Sequence, residues 1–178
     1  KGENPYLRIP YSYHLTCYDW QQAVQEVLKE ERQWILKPGE NTNQGRGILI
    51  FRSSKEAAEH LLLHPPTHES RSFLLQHYVT PSLYSLRKYD LRCFILGLQI
   101  GPCLRFYWYE EGYVRTASRK FSMKGTAKGI HLTNDAVQKH LKHYGEHEPN
   151  NKLSFQELDK YMLNNETFSL YKDVLPQM

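Results

Sequence analysis

The sequence predicts an α+β fold: a small lobe carrying a long-tipped hairpin, followed by a larger antiparallel sheet flanked by helices. Three observations predict it. Two short apolar runs, Gln33-Trp34-Ile35-Leu36-Lys37 and Gly47-Ile48-Leu49-Ile50-Phe51, bracket a loop rich in glycine and amides, the pattern of a hairpin with an extended tip. After Pro81, further short runs are divided by the turn pairs Gly101-Pro102 and Glu111-Gly112, as antiparallel neighbours require. From Thr133 the spacing becomes helical. Strands bunched ahead of helices, with no βαβ alternation, argue against a doubly wound sheet.

In chain order, an entry segment with Ile9-Pro10 leads to Thr16, an N-cap with Asp19 three residues on. A helix follows through Trp20, Val24, Val27 and Leu28 and ends near Glu31. The hairpin comes next, its tip spanning 39–47. Ser53 and Glu56 form a capping-box pattern for a helix through Ala57, Ala58, Leu61 and Leu62, which Pro65-Pro66 stops. Ser72 to Val79 reads as a strand, 88–98 as a charged strand running into apolar residues, and Leu104 to Tyr109 and Tyr113 to Ser118 as strands of the same antiparallel sheet. Ala136, Val137, His140 and Leu141 then share a helical face up to Gly145, and Ser154 with Glu157 caps a last helix carrying Phe155, Leu158 and Met162.

At 178 residues and 40% hydrophobic, the chain can build one substantial core or two small lobes. It has no apolar stretch of about 20 residues to span a membrane. Lys1-Gly2-Glu3-Asn4-Pro5 resembles neither a signal peptide nor a translational start, which suggests a segment excised from a longer chain. Cys17, Cys93 and Cys103 are odd in number and lack CxxC spacing, which argues against a disulfide framework and for a reducing compartment. A net charge of +4 favours acidic partners.

Lys88, Asp90 and Arg92 alternate along Leu86-Arg87-Lys88-Tyr89-Asp90-Leu91-Arg92, so on a strand they share one face. A cation, an anion and a cation beside a sheet core either bind something charged, such as phosphates with a metal, or form an ordinary solvated ion pair. Lys37 points towards the loop Gly39-Glu40-Asn41-Thr42-Asn43-Gln44-Gly45-Arg46-Gly47, whose N–H groups could close over phosphates. The loop returns as a strand and lacks the Gly-Lys-Ser/Thr ending, so it is not a Walker motif. His140, His143 and His147 could share a helical face as metal ligands, but Gly145 interrupts them. Nucleic-acid binding is disfavoured because the aromatic residues alternate on strands as core residues would and no recognition motif is present.

Trp34-Ile35-Leu36-Lys37-Pro38, Gly45-Arg46-Gly47-Ile48, Gln76-His77-Tyr78-Val79, Arg87-Lys88-Tyr89-Asp90-Leu91-Arg92, Tyr113-Val114-Arg115-Thr116-Ala117-Ser118 and His131-Leu132-Thr133-Asn134 occur in this order. Together with Ala136-Val137-Gln138-Lys139, this ordered set resembles the tubulin tyrosine ligase-like family over roughly residues 9 to 162. The resemblance implies an ATP-grasp core in which two lobes sandwich ATP. Residues of about 1–80 would form the central or small lobe, with a flexible phosphate loop at 39–47, and about 81–178 an incomplete C-terminal lobe. It also implies ATP-dependent ligation of tyrosine, glutamate or glycine to tubulin tails through an acyl phosphate. By the same resemblance, Lys37 and Lys88 would hold ATP phosphates, Gln76 would sit at the base, and Asp90 beside ATP and its metal. Arg92 and Arg115 would face the acyl phosphate and substrate carboxylates, and His131, Thr133 and Asn134 would line the nucleotide region. Arg115-Thr116-Ala117-Ser118 looks slightly closer to the tyrosine ligase itself.

The chain departs from the family pattern at His77, where lysine is common, at Leu86, where glycine is usual, and in the bulk of Glu40-Asn41-Thr42-Asn43-Gln44. The family's metal-binding Asp and Glu-x-Asn motif find no counterpart after Asn134, and Glu157 and Asp159 read as solvated helix residues. No metal ligand set is therefore assigned within this chain, and the main Mg²⁺ ligands are expected outside it. The implied partners are tubulin or microtubules, through their acidic tails, and a free amino acid. The implied location is the cytoplasm and cytoskeleton, including the ciliary axoneme. The rival reading is a catalytically silent microtubule-associated or ciliary protein that keeps the fold.

Overall fold

The computed structural model describes residues 9–39, 45–69 and 71–178. They are mixed helix and antiparallel sheet and cluster into two compact units, one of residues up to Thr80 with Ser122–Lys128, the other Pro81–Phe121 with Gly129–Met178.

The first unit contains β1 (Ser12–Leu15), α1 (Trp20–Val27), β2 (Trp34–Pro38), β3 (Leu49–Phe51), α2 (Ser54–Leu63) and β4 (Phe73–His77). Its sheet runs β1-β4-β2-β3, antiparallel throughout. Alternation along the strands sends Leu15, Trp34, Leu36 and Leu75 to the face covered by Val24, Val27, Ala57 and Leu61 of the helices. Trp34 is fully buried and donates its indole N–H to Ser54 Oγ at 2.9 Å, so no polar atom of its ring is stranded. Both expected helices are present. Thr16, expected as the N-cap of α1, is not: Asp19 holds that position without a side-chain capping bond and reaches back to the Thr16 N–H at 2.6 Å, whereas Ser53 Oγ accepts from the Glu56 N–H at 3.1 Å as expected. Helix α1 ends earlier than its pattern suggested, because the Lys29 and Glu30 N–H groups bond to carbonyls three residues back. Of the loop at 39–47, residues 40–44 lie outside the described set.

The second unit contains β5 (Leu83–Tyr84), β6 (Arg87–Arg92), β7 (Ile95–Ile100), β8 (Cys103–Trp108), β9 (Tyr113–Lys120), α4 (Asp135–Gln138), β10 (Lys152–Ser154) and α5 (Phe155–Asn165); the single turn α3 (Lys128–His131) precedes α4. Its main sheet runs β10-β9-β6-β5. Val114 and Leu153 pack with Phe155, Leu158 and Met162 of α5. The Ser154–Glu157 capping box that opens this helix is complete, as its spacing predicted.

Three expectations are corrected. The charged strand at 88–98 is two strands, and the runs after Pro81 do not form one sheet: β7 and β8 pair only with each other among the described residues. The β6–β9 ladder ends at Arg92↔Tyr113 and the β7–β8 ladder begins at Ile95↔Trp108, with two residues between them on one arm and four on the other, so the pair continues past an irregularity with β8 alone beside β7 among the described residues. Every residue of β7 and β8 is exposed, including Phe106, Tyr107 and Trp108, so these aromatics are not core residues of the described chain. Finally, the helical face at 136–141 extends over only α4. The His140 and Leu141 N–H groups bond three residues back, and Gly145, at φ +76°, gives its N–H to Asn151 Oδ1 at 2.7 Å.

β5 and β6 are joined by the two residues Ser85-Leu86, whose φ values are +47° and +64°. A tight hairpin turn with both φ positive suits glycine or asparagine, and a side chain there costs about 1–2 kcal/mol. Leu86 is 59% exposed, so its side chain recovers little by burial. Leu86→Gly is therefore expected to stabilise the protein by about 0.5–1 kcal/mol, read as a rise of roughly 2 °C in Tm. An unchanged or lower Tm would show that the turn is not strained.

Candidate functional site

Two polar clusters, one in each unit, contain the residues singled out from the sequence. In the first unit, the sheet face opposite the helices carries Lys37 on β2 and Gln76 on β4. Lys37 Nζ donates to Gln76 Oε1 at 2.7 Å, and Gln76 Nε2 donates to Ser12 Oγ at 2.8 Å. Partial burial pulls the Lys37 pKa below its ordinary value. β4 is an internal strand, so Gln76 is not satisfying a sheet edge.

The second cluster depends on the β6–β9 register. Asp90 lies opposite Arg115, and the guanidinium grips the carboxylate with both arms, Nε to Oδ1 at 2.8 Å and a terminal nitrogen to Oδ2 at 2.7 Å. Thr133 donates its hydroxyl to Oδ2 at 2.5 Å. The hydrogen bonds to Asp90 raise the Arg115 pKa above its ordinary value, so the arginine is a permanent cation. Lys88 and Arg92 alternate with Asp90 along β6, and the Arg92 guanidinium lies 5.6 Å from the Phe94 ring centroid.

The remaining residues are placed differently from one another. Asn134 occupies the N-cap position of α4, yet its side chain makes no capping bond. Thr133 is buried and turned to Asp90, so it does not cap the helix. His131 is 2% exposed and meets the Phe121 ring edge-on at 5.4 Å. Among the described residues no group of three His, Cys, Asp or Glu could hold a metal, His140, His143 and His147 included. Asp159 is not simply solvated: it accepts from Ser169 Oγ and the Leu170 N–H, both at 2.7 Å.

Sequence reasoning missed a buried network behind this cluster. Strand alternation turns Arg87 away from the Lys88 face and into the interior, where it is 3% exposed and forms a two-armed pair with Glu148. Thr116 also donates to Glu148, at 2.8 Å, and Asn151 Nδ2 to Ser118 Oγ, at 2.8 Å. Gln138, fully buried, accepts from the Ser118 N–H and hydroxyl at 2.8 and 2.7 Å. Its NH₂ group donates to the carbonyls of Leu132 and Gly129 at 2.5 and 3.2 Å. The sequence signal was the acidic, amide-rich stretch Glu146 to Asn151 after a helical pattern that stops at Gly145.

Comparison with known proteins finds that the model of the tubulin-tyrosine ligase family matches residues 6–175. The human tubulin monoglycylase TTLL3 is 30% identical over 132 residues, which cover 70% of this chain and 17% of that protein. The rat protein polyglycylase TTLL10 is 28% identical over 166 residues, 86% of the chain and 24% of the relative. A Caenorhabditis elegans protein named probable tubulin polyglutamylase ttll-9 is 29% identical over 133 residues, 74% and 30% respectively. The chain thus spans less than a third of the length of these relatives. Among the described residues no helix is long and apolar enough to cross a membrane.

The buried pair predicts an asymmetric response to mutation. Glu148→Ala leaves the Arg87 charge unpaired in the interior and should cost about 3–5 kcal/mol, whereas Arg87→Met combined with Glu148→Leu should recover much of it; denaturant unfolding of both variants checks this. His77 supplies a pH prediction. Burial, helped by the Arg32 charge and opposed by Glu30, lowers its pKa below 6.5, so the folded state disfavours the charged ring. Its stabilising contribution is present above pH 6.5 and lost as the pH falls through the lower folded value. His77→Gln should flatten the urea midpoint in that interval relative to wild type, and parallel profiles would exclude the linkage.

Proposed function

The chain belongs to the tubulin-tyrosine ligase family, and from this we propose that it forms part of an ATP-dependent ligase joining an amino acid to carboxylates of tubulin tails. The observation that carries the reading is the Asp90 carboxylate held by Arg115 and Thr133 on the face shared with Lys88 and Arg92.

The donor set fits a polyphosphate. In the second unit, Lys88, Arg92 and Arg115 supply cations on the paired strands β6 and β9. It does not by itself fit Mg²⁺, a hard cation that takes several oxygens: Asp90 and the Asn134 amide are the suitable oxygens among these residues, so the main ligands would come from further chain. When bound, the ion would neutralise phosphate charge.

In the proposed reaction, a tail carboxylate oxygen attacks the γ-phosphorus of ATP and ADP leaves, giving an acyl phosphate. The amine of the incoming amino acid attacks the acyl carbon, phosphate departs with the carbon–oxygen bond, and the nitrogen loses a proton. Lys37 and Lys88 would bind ATP phosphates and Gln76 the base. Arg92 and Arg115, as planar two-armed donors, would hold the acyl phosphate and carboxylates. Thr133 would fix Asp90 beside the nucleotide, with Asn134 lining the same region and His131 supporting it from the interior. The relatives named above make glycine and glutamate the first amino acids to try.

In this reading the fold is ATP-grasp-like, with residues of about 1–80 as the smaller lobe and about 81–178 as part of the C-terminal lobe. Both faces of the β7–β8 hairpin are apolar and exposed, with Leu96, Leu98 and Ile100 on one and Ile95, Phe106 and Trp108 on the other. A hairpin of this kind is marginal alone. The expected partners are tubulin and microtubules in the cytoplasm, including ciliary ones.

The test is incorporation of labelled glycine, glutamate or tyrosine into tubulin by the full-length protein with ATP. Lys88→Ala and Arg115→Ala should each lower kcat/KM by about 10²-fold or more. Undiminished turnover in both variants would refute the assignment. ATP-independent, salt-sensitive microtubule binding with no incorporation would instead support the catalytically silent alternative.

A further inference from the structure

Four of the hydrogen bonds in the second unit converge on one side chain that no part of the proposed chemistry uses. We infer that Gln138 is a positioning residue, which sets the geometry of Asp90, Arg115 and Thr133 by fastening the segment Gly129–Thr133 to strand β9. The inference rests on the ligase reading only for the meaning of ATP affinity.

The amide of Gln138 offers two acceptor sites and two N–H donors, and every one is engaged. The acceptor side takes both the backbone N–H and the hydroxyl of Ser118 on β9. The donor side holds the carbonyls of Gly129 and Leu132. Leu132 is one peptide bond from Thr133, whose hydroxyl is 2.5 Å from Asp90, and Ser118 lies three residues along β9 from Arg115, whose guanidinium grips the same carboxylate. One buried side chain therefore ties together the two elements that hold Asp90.

The geometry leaves little freedom. The segment Gly129–Thr133 runs from the short turn α3 to the short turn α4, and its Gly129 and Leu132 carbonyls are both held by Gln138. A Cβ on Gly129 would come within 2.5 Å of Leu141, so the segment is also packed against the chain that follows α4. Asn151 extends the tie by donating to Ser118 Oγ and to the Thr116 carbonyl while accepting from the Gly145 N–H. Within a shielded interior each such bond is costly to leave unmade. A carboxylate at position 138 would keep the acceptor for Ser118 but set oxygen against two carbonyl oxygens.

The test uses full-length protein, ATP with Mg²⁺ as the probe, and amide hydrogen exchange as a readout independent of turnover. Gln138→Glu should speed exchange at residues 129–134 while α5 and β1 to β4 stay protected, and should weaken ATP binding by about tenfold. Ser118→Ala removes one of the two Ser118 donors and should give a smaller change of the same kind; it serves where Gln138→Glu does not fold. Wild-type protection at 129–134 with unchanged ATP affinity, in whichever variant folds, would overturn the inference. So would a uniform loss of protection throughout the unit, which is the mark of a purely structural residue. If the wild type has no ATP affinity, the ligase reading fails, and the exchange pattern still decides the role of Gln138.

Discussion

Everything that distinguishes the second unit follows from the pairing of Asp90 with Arg115 across β6 and β9. Directly opposed residues on an antiparallel pair have their side chains on the same face within bonding reach, so one register places an anion and a two-armed cation together. Strand alternation then separates the consecutive basic residues Arg87 and Lys88. Lys88 stays on the strand that carries Asp90 and Arg92, while Arg87 is driven inward to Glu148. Arg87 is thus structural, on the face opposite Lys88, Asp90 and Arg92. The strained Ser85-Leu86 turn immediately precedes this strand, and such strain persists only where the surroundings over-determine it.

Local rules made much of this legible in the sequence. The Ser154–Glu157 box, the Ser53 cap and the strands around Trp34 and Phe51 were readable because capping bonds and strand patterns act over a few residues. The alternate placement of Lys88, Asp90 and Arg92 was readable for the same reason. What could not be read was pairing at a distance. Asp90 and Arg115 are 25 residues apart and Arg87 and Glu148 are 61 apart, and no periodicity encodes which strand lies beside which. β1, β5 and β10 were missed because strands of two to four residues carry too little pattern. The chain at 136–141 was read too long because its helical spacing is real, but side-chain bonds from Gln138 and a backbone bond at Gly145 overrule it.

The β7–β8 hairpin was the opposite kind of failure. Its aromatic alternation was read as the mark of burial, yet every residue in it is exposed. A two-stranded ribbon has no face on which to bury such residues, and among the described residues no further strand lies beside it. The exposed stretch begins three residues after Arg92.

A polar network buried behind a reactive face is a poor way to gain stability, since apolar residues of equal volume would hold the unit as well or better. It is a good way to fix one arrangement, because each donor and acceptor accepts few partners and penalises the rest. Glu148, Thr116, Asn151, Ser118 and Gln138 are joined by bonds that leave each of them one geometry. That rigidity is passed to Asp90 through Thr133 and through β9. Transfer of a phosphoryl group depends mainly on where charges are held, so the interior that looks least economical as a core is the one best suited to keep Arg115 and Asp90 in register.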